Sequence, residues 1–149
     1  MRPTNSSLPG VVSAALSSGR RVPRLGPACA ALGGCPAGDA RITPGFRLRA
    51  KYVIHAVGPI WRGGHSGEPE LLASAYRSAI RVAEENWVRS IAFPAISTGI
   101  YGYPLQAATN IAVSTVRERL LSSSSVQRVV FACFTPEALE AYRKAGVES

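Results

Sequence analysis

The residue types best suited to chemistry fall in one short run, Phe93 to Gln106 (FPAISTGIYGYPLQ). Within it, Ser97-Thr98-Gly99-Ile100-Tyr101-Gly102 reads as a loop that follows a buried strand and feeds a helix. A loop in that position turns unpaired backbone N–H groups and the positive end of a helix dipole toward an anion. Such a loop can cradle a diphosphate. Gly99 and Gly102 let backbone approach a ligand with no Cβ in the way, and Ser97 and Thr98 bring hydroxyl donors. Tyr101 and Tyr103 would wall the cleft. The plainer alternative is that the glycines only permit a tight turn and the tyrosines edge the core.

Other chemistry-bearing residues point to structure. His55 lies inside an apolar run, where a single histidine is more often a hydrogen-bonded packing residue. His65 sits among glycines and serine with no partner in view, and no Ser/His/Asp set can be assembled. Glu84, Glu85 and Glu118 fall on helices and read as a solvated face. Cys29, Cys35 and Cys133 form neither an even set nor a cluster with metal-ligand spacing, so a disulfide framework, a metal site and a metal cofactor are all poor readings.

The elements that must position the loop follow from periodicity. Lys51 to Val57 (KYVIHAV), closed by Gly58-Pro59, reads as a strand. Glu68 to Glu85 opens on acids and repeats apolar residues at helical spacing. Ser90 to Ile96 (SIAFPAI) suits a central strand covered on both faces, with Pro94 near its end. Pro104 can open the next helix, which runs to about Leu121; Val126 to Phe134 reads as a strand and Pro136 to Lys144 as a closing helix. This alternation of strands and helices predicts an α/β domain with a layered sheet. Val11 to Leu16 could be a strand or one helical turn. Around it the first 38 residues show no apolar periodicity, so a leader over residues 1–26 is expected to be irregular or disordered, ahead of a domain over residues 27–149.

Charge sharpens that division. The chain of 149 residues carries a formal net charge of +8, but residues 1–51 hold eight bases against one acid, and the remainder is nearly balanced. The basic excess lies in a Pro/Gly/Ser-rich stretch without an aromatic before Phe46, which argues against a specific nucleic-acid partner. No stretch reaches the ~20 apolar residues of a membrane span and no secretory leader is evident, so neither a membrane partner nor secretion is expected and a cytoplasmic location follows by default.

Beyond these generic readings, ALGGCPAGDARITPGFRLRAKYVIHAVGPIW (Ala31 to Trp61), SIAFPAISTGIYGYP (Ser90 to Pro104) and RVVFACFTPEALEAYRKA (Arg128 to Ala145) together resemble the macro domains, over about residues 27–146. The resemblance implies a three-layer α/β/α fold with a mixed sheet, and ADP-ribose bound across the strand ends. It assigns Ser97, Thr98, Gly99, Ile100, Tyr101 and Gly102 to the loop around the pyrophosphate and distal ribose. Phe134 matches a position that packs on the bound nucleoside, and Asn5 matches the asparagine that family hydrolases use in catalysis.

The likeness runs closest to the branch that hydrolyses O-acetyl-ADP-ribose or ADP-ribosyl esters on proteins. ADP-ribose, O-acetyl-ADP-ribose and an ADP-ribosylated protein are therefore the implied partners, with no cofactor. Two departures are expected to matter. The first strands of the family and an adenine-recognising aspartate have no counterpart before Asn5, and no carboxylate lies between Asn5 and Asp39 to act as the catalytic aspartate. In place of the family's glycine loop stands Pro9 to Pro23 (PGVVSAALSSGRRVP), and Val11 to Pro23 fits what that loop yields in GC-rich codons read one base out of register. Enzyme, non-catalytic reader and inactive remnant thus remain open at this level.

Overall fold

The computed structural model describes residues 10–15 (as backbone), 36–44, 51–99, 101–122 and 125–148. In chain order these form β1 (Gly10–Ala15), β2 (Ala40–Pro44), β3 (Tyr52–Ala56), α1 (Glu68–Glu85), β4 (Ser90–Phe93), α2 (Leu105–Ser122), β5 (Arg128–Phe131) and α3 (Pro136–Lys144). The strands make one mixed sheet in the order β2-β3-β1-β4-β5, antiparallel between β2 and β3 and parallel elsewhere.

The main surprise is β1. Gly10–Ala15 lies at the centre of the sheet, with Val12 in register with Val53 of β3 and Ala92 of β4. The expectation of an irregular leader over residues 1–26 is therefore corrected for these six residues. Of the two local readings left open for Val11 to Leu16, the strand is the one observed. Two valines followed by small residues suit a strand flanked on both sides, but the signal is too short to stand without its partners.

Period-two alternation sorts the sheet into two faces. Ile54, Ala56, Ile91 and Phe93 share one face and pack with Leu72, Tyr76, Ala79, Ile80 and Ala83 of α1 and Ala108, Ala112 and Val116 of α2 in a single buried cluster. Each fully buried Ile or Leu there contributes about 1.5–3 kcal/mol. A column of rings continues the cluster: Tyr76 to Phe93 at 5.0 Å, Phe93 to Phe131 at 6.3 Å and Phe131 to Tyr142 at 4.6 Å, which ties α1, β4, β5 and α3 together. On the opposite face Val53, His55 and Thr43 are also buried, so the sheet is covered on both sides. No helix among the described residues is long and apolar enough to cross a membrane.

Helix ends follow local chemistry. In α1, Glu68 and Glu70 occupy the first turn with Pro69 between them, as the positive pole of the helix favours. Its C-terminus closes through Trp87 N–H to Glu84 O (3.1 Å) and Val88 N–H to Ala83 O (3.0 Å), the paired bonds of a Schellman motif. In α3, Thr135 Oγ1 accepts from Ala138 N–H and caps the start.

Candidate functional site

Because β1, β3, β4 and β5 are parallel, the segments that leave the carboxyl ends of β3, β4 and β5 start along one edge of the sheet, where α/β proteins place ligands. The segment after β3 carries Gly58 to Gly67, that after β4 carries the candidate loop, and that after β5 carries Phe134. Phe93 and Phe131 are in register, so the last two segments start side by side.

The candidate loop is held by its own backbone. Ser97 adopts a left-handed conformation (φ 67°) and Gly102 another (φ 73°). Between them Gly102 N–H donates to Gly99 O (3.0 Å), and Tyr103 N–H donates to Ser97 O (2.9 Å). Among the described residues the N–H groups of Gly99 and Tyr101 have no acceptor, which leaves main-chain donors at the tip. The left-handed Ser97 is braced from the segment after β3: Gly58 packs so closely that a Cβ there would collide with Ser97 Oγ and come within 2.5 Å of Ile96 Cγ2. Behind it, Ile96 N–H donates to the hydroxyl of Tyr76 (3.4 Å), whose ring is fully buried. Burial lifts the Tyr76 hydroxyl well above its ordinary pKa, and with burial as the main cause Tyr142, bonded to it, is pushed up to about 12. Both therefore stay neutral.

The side-chain hydroxyls do not do what the sequence suggested. Ser97 Oγ is buried against Gly58 without a hydrogen-bond partner among the described residues, and Thr98 Oγ1 donates back to Ala95 O (3.0 Å). Open donors at the tip are thus backbone groups. Tyr103 is likewise a core residue, with 3% of its surface exposed and its ring 4.6 Å from Trp61, so only Tyr101 walls the cleft. Phe134 is 83% exposed, two positions beyond the residue that ends the β5–Phe93 pairing, Ala132. Asn5 and Ile100 lie outside the described residues.

Beside the loop opens a cleft of about 410 Å³, lined by Val57, Gly58, Pro59, Ile60, Arg62 and Tyr101 among others. Trp61 N–H donates to Tyr101 O (2.8 Å), which fastens the post-β3 segment to the candidate loop. Sequence reasoning missed the residue that organises this side, Glu68. Its buried carboxylate accepts N–H groups from Arg62 (3.0 Å), Gly64 (2.7 Å) and Ser66 (2.6 Å). Burial works to raise the Glu68 pKa, but the N–H groups of Gly64, Glu68 itself, Arg62 and Ser66 outweigh it and hold the carboxyl below its ordinary range. The available signal was a glycine-rich stretch, Gly63 to Gly67, ending on Glu-Pro at a helix start.

His55 is a packing residue: Nε2 and Thr43 Oγ1 share a hydrogen bond of 2.9 Å in the buried face, and burial depresses its pKa. Among the described residues no cluster of His, Cys, Asp and Glu has the makings of a metal site.

A mixed, mainly parallel sheet with an N–H-bearing loop at its carboxyl edge defines an α/β ligand-binding domain. The chain belongs to the macro domain family, whose model matches residues 4–112. A macro domain-containing protein of Chlorobaculum tepidum is 54% identical over 123 residues, spanning 83% of this chain and 72% of that protein. The O-acetyl-ADP-ribose deacetylase of Salmonella gallinarum is 50% identical over 112 residues, 75% of this chain and 63% of its own length. Among solved structures, the Trypanosoma brucei macrodomain in complex with ADP-ribose superposes with a TM-score of 0.81 at 37% identity, over 93% of this chain and 63% of that one.

Proposed function

We propose that this chain binds ADP-ribose, with the diphosphate held on the Ser97–Gly102 loop and the nucleoside against Phe134. The supporting observation is the loop itself: a strained turn at the carboxyl end of a parallel strand, braced by Gly58, with main-chain N–H groups that have no acceptor among the described residues. In this reading the donors of Gly99 and Tyr101 meet phosphate oxygens, the helix that starts at Leu105 adds its positive pole, and Tyr101 closes one wall. An ADP-ribosylated protein would be captured through the same group.

A second reading is hydrolysis of O-acetyl-ADP-ribose or of ADP-ribosyl esters, favoured by the similarity to the Salmonella deacetylase. That chemistry needs a water activated against the acyl or anomeric centre. Asn5 can orient a water but cannot act as base. Glu68, the carboxylate lining the cleft, is engaged by N–H groups and held at a depressed pKa, which weakens it as a base. Binding without efficient turnover is therefore the preferred reading.

Calorimetric titration with ADP-ribose, with AMP as control, tests it. Saturable binding clearly tighter than that of AMP is the expected result, and a deacetylation assay on O-acetyl-ADP-ribose then separates reader from enzyme. No binding by a folded chain would sink both readings.

A further inference from the structure

A second cleft lies at the opposite edge of the sheet, where the parallel strands begin. It encloses about 270 Å³ and is lined by Lys51, Tyr52, Asn86, Trp87, Val88 and Arg89. Three independent observations distinguish it. Trp87 holds a left-handed backbone, φ 57°, at the position after the α1 C-cap where a Schellman motif usually carries glycine. The molecule uses the expected residue elsewhere: α3 ends in the same pair of bonds with Gly146 at φ 87°. A bulky residue in this conformation is held at a cost, and such outliers cluster where they do something.

The second observation is that the indole is not used for packing. Trp87 is 81% exposed, whereas the Trp61 ring packs at a tilt against Tyr103. The third is charge. Lys51, whose Nζ stands 5.3 Å from the centre of the Tyr52 ring, and Arg89 are exposed and form no ion pair among the described residues, although Glu84 and Glu85 close by pair with Arg119 and Arg81. Among the described residues no acid lines the cleft.

We propose that this cleft binds a single-stranded nucleic acid, one base stacked on Trp87 and the two phosphates that flank it on Lys51 and Arg89. An exposed indole in one cleft with two cations that form no ion pair among the described residues suits a base flanked by phosphates, and stacking tolerates any base. An acidic peptide would satisfy the cations but leave the indole without a planar partner. The Asn86 amide at the edge of the cleft donates to Val82 O (2.8 Å). Stacking on Trp87 and charge contacts to Lys51 and Arg89 discriminate little between bases, so the proposed recognition is independent of sequence. The net charge of +8 assists the encounter.

The test uses dye-labelled oligo(dT) followed by anisotropy, with indole emission recorded in parallel. The expected result is saturable binding that quenches indole fluorescence and weakens with salt, with a log–log slope of about −1.4 for two phosphate contacts. Trp87→Gly should weaken binding at least tenfold while the thermal midpoint stays level or rises, because glycine relieves the backbone. Lys51→Gln with Arg89→Gln should weaken it similarly and flatten the salt slope. ADP-ribose should not compete. Binding unaffected by Trp87→Gly would overturn the proposal by placing the contact elsewhere on the basic surface. So would Trp87-dependent binding of a Glu-rich peptide without binding of oligo(dT), and so would thymidine monophosphate bound as tightly as the strand.

Discussion

Ser97 and Trp87 are the residues other than glycine that hold left-handed backbone among those described, and they flank the same strand, β4. Ser97 stands past its carboxyl end with 1% of its surface exposed; Trp87 stands before its amino end with 81% exposed. Around Ser97 the conformation is enforced from several sides: Gly58 across the way, Tyr103 N–H on its carbonyl, and Tyr76 behind Ile96. Trp87 is held by its own main-chain bond and that of Val88. Strain locked by packing cannot be relieved without moving a site, whereas strain at a helix end can be removed by one substitution. The first kind shapes the loop proposed to hold the diphosphate; the second exposes a side chain that the fold itself does not need.

The sharpest way to break the comparison is Gly58→Ala. The added methyl must displace Ile96 or Ser97, both buried, so a loss of about 1–3 kcal/mol is expected in denaturant titration. ADP-ribose affinity should fall at least tenfold with it. A variant that keeps full affinity would show that the brace does not position the loop.

Next comes a crossed pair. Trp87→Gly should raise stability by about 1 kcal/mol and leave ADP-ribose binding untouched. In Ser97→Gly the relief of strain and of an orphaned buried hydroxyl is offset by a looser turn, so stability should move by less than about 0.5 kcal/mol while affinity falls. Unfolding curves and calorimetry on both variants read the two quantities separately. Equal behaviour of the two would erase the distinction between locked and removable strain.

The smallest effect should spare both ends of β4. Burial lowers the His55 pKa, so the unfolded chain binds a proton more readily and stability declines as pH falls below the ordinary histidine value of 6.5. Above that value His55 is neutral in both states and contributes no slope. Thermal midpoints against pH should show this decline in the parent chain and a flatter one in His55→Gln.

Elements whose fate was decided locally could be read from the sequence. The bounds of α1 and α3 follow from acids, prolines and apolar spacing, and the structure places both where the pattern did. β3, β4 and β5 were recognised but are shorter than their apolar runs; β4 stops at Phe93, before Pro94, which has no N–H for the ladder. β2 was missed because five residues ending on proline carry little periodicity, and Val11 to Leu16 stayed open between strand and helical turn because only pairing to β3 and β4 decides for the strand. The loop Ser97 to Gly102 was legible as a place, through its glycines and its setting between strand and helix. The inward turn of Ser97 Oγ and Thr98 Oγ1 was not, since it depends on Gly58 and on a left-handed φ that no residue type announces.

Glu68 has a consequence for ligand traffic. Both α1 and α2 begin at the carboxyl edge of the sheet, so two positive helix poles face the same side. The first is already occupied, because the chain supplies its own anion there and wraps the 62–66 segment around it. An incoming phosphate meets a filled receptor at one door and an open one at the other. The polypeptide thereby acts as a resident competitor at the first pole, and in the proposed reading this leaves the Ser97–Gly102 loop to receive the negative charge.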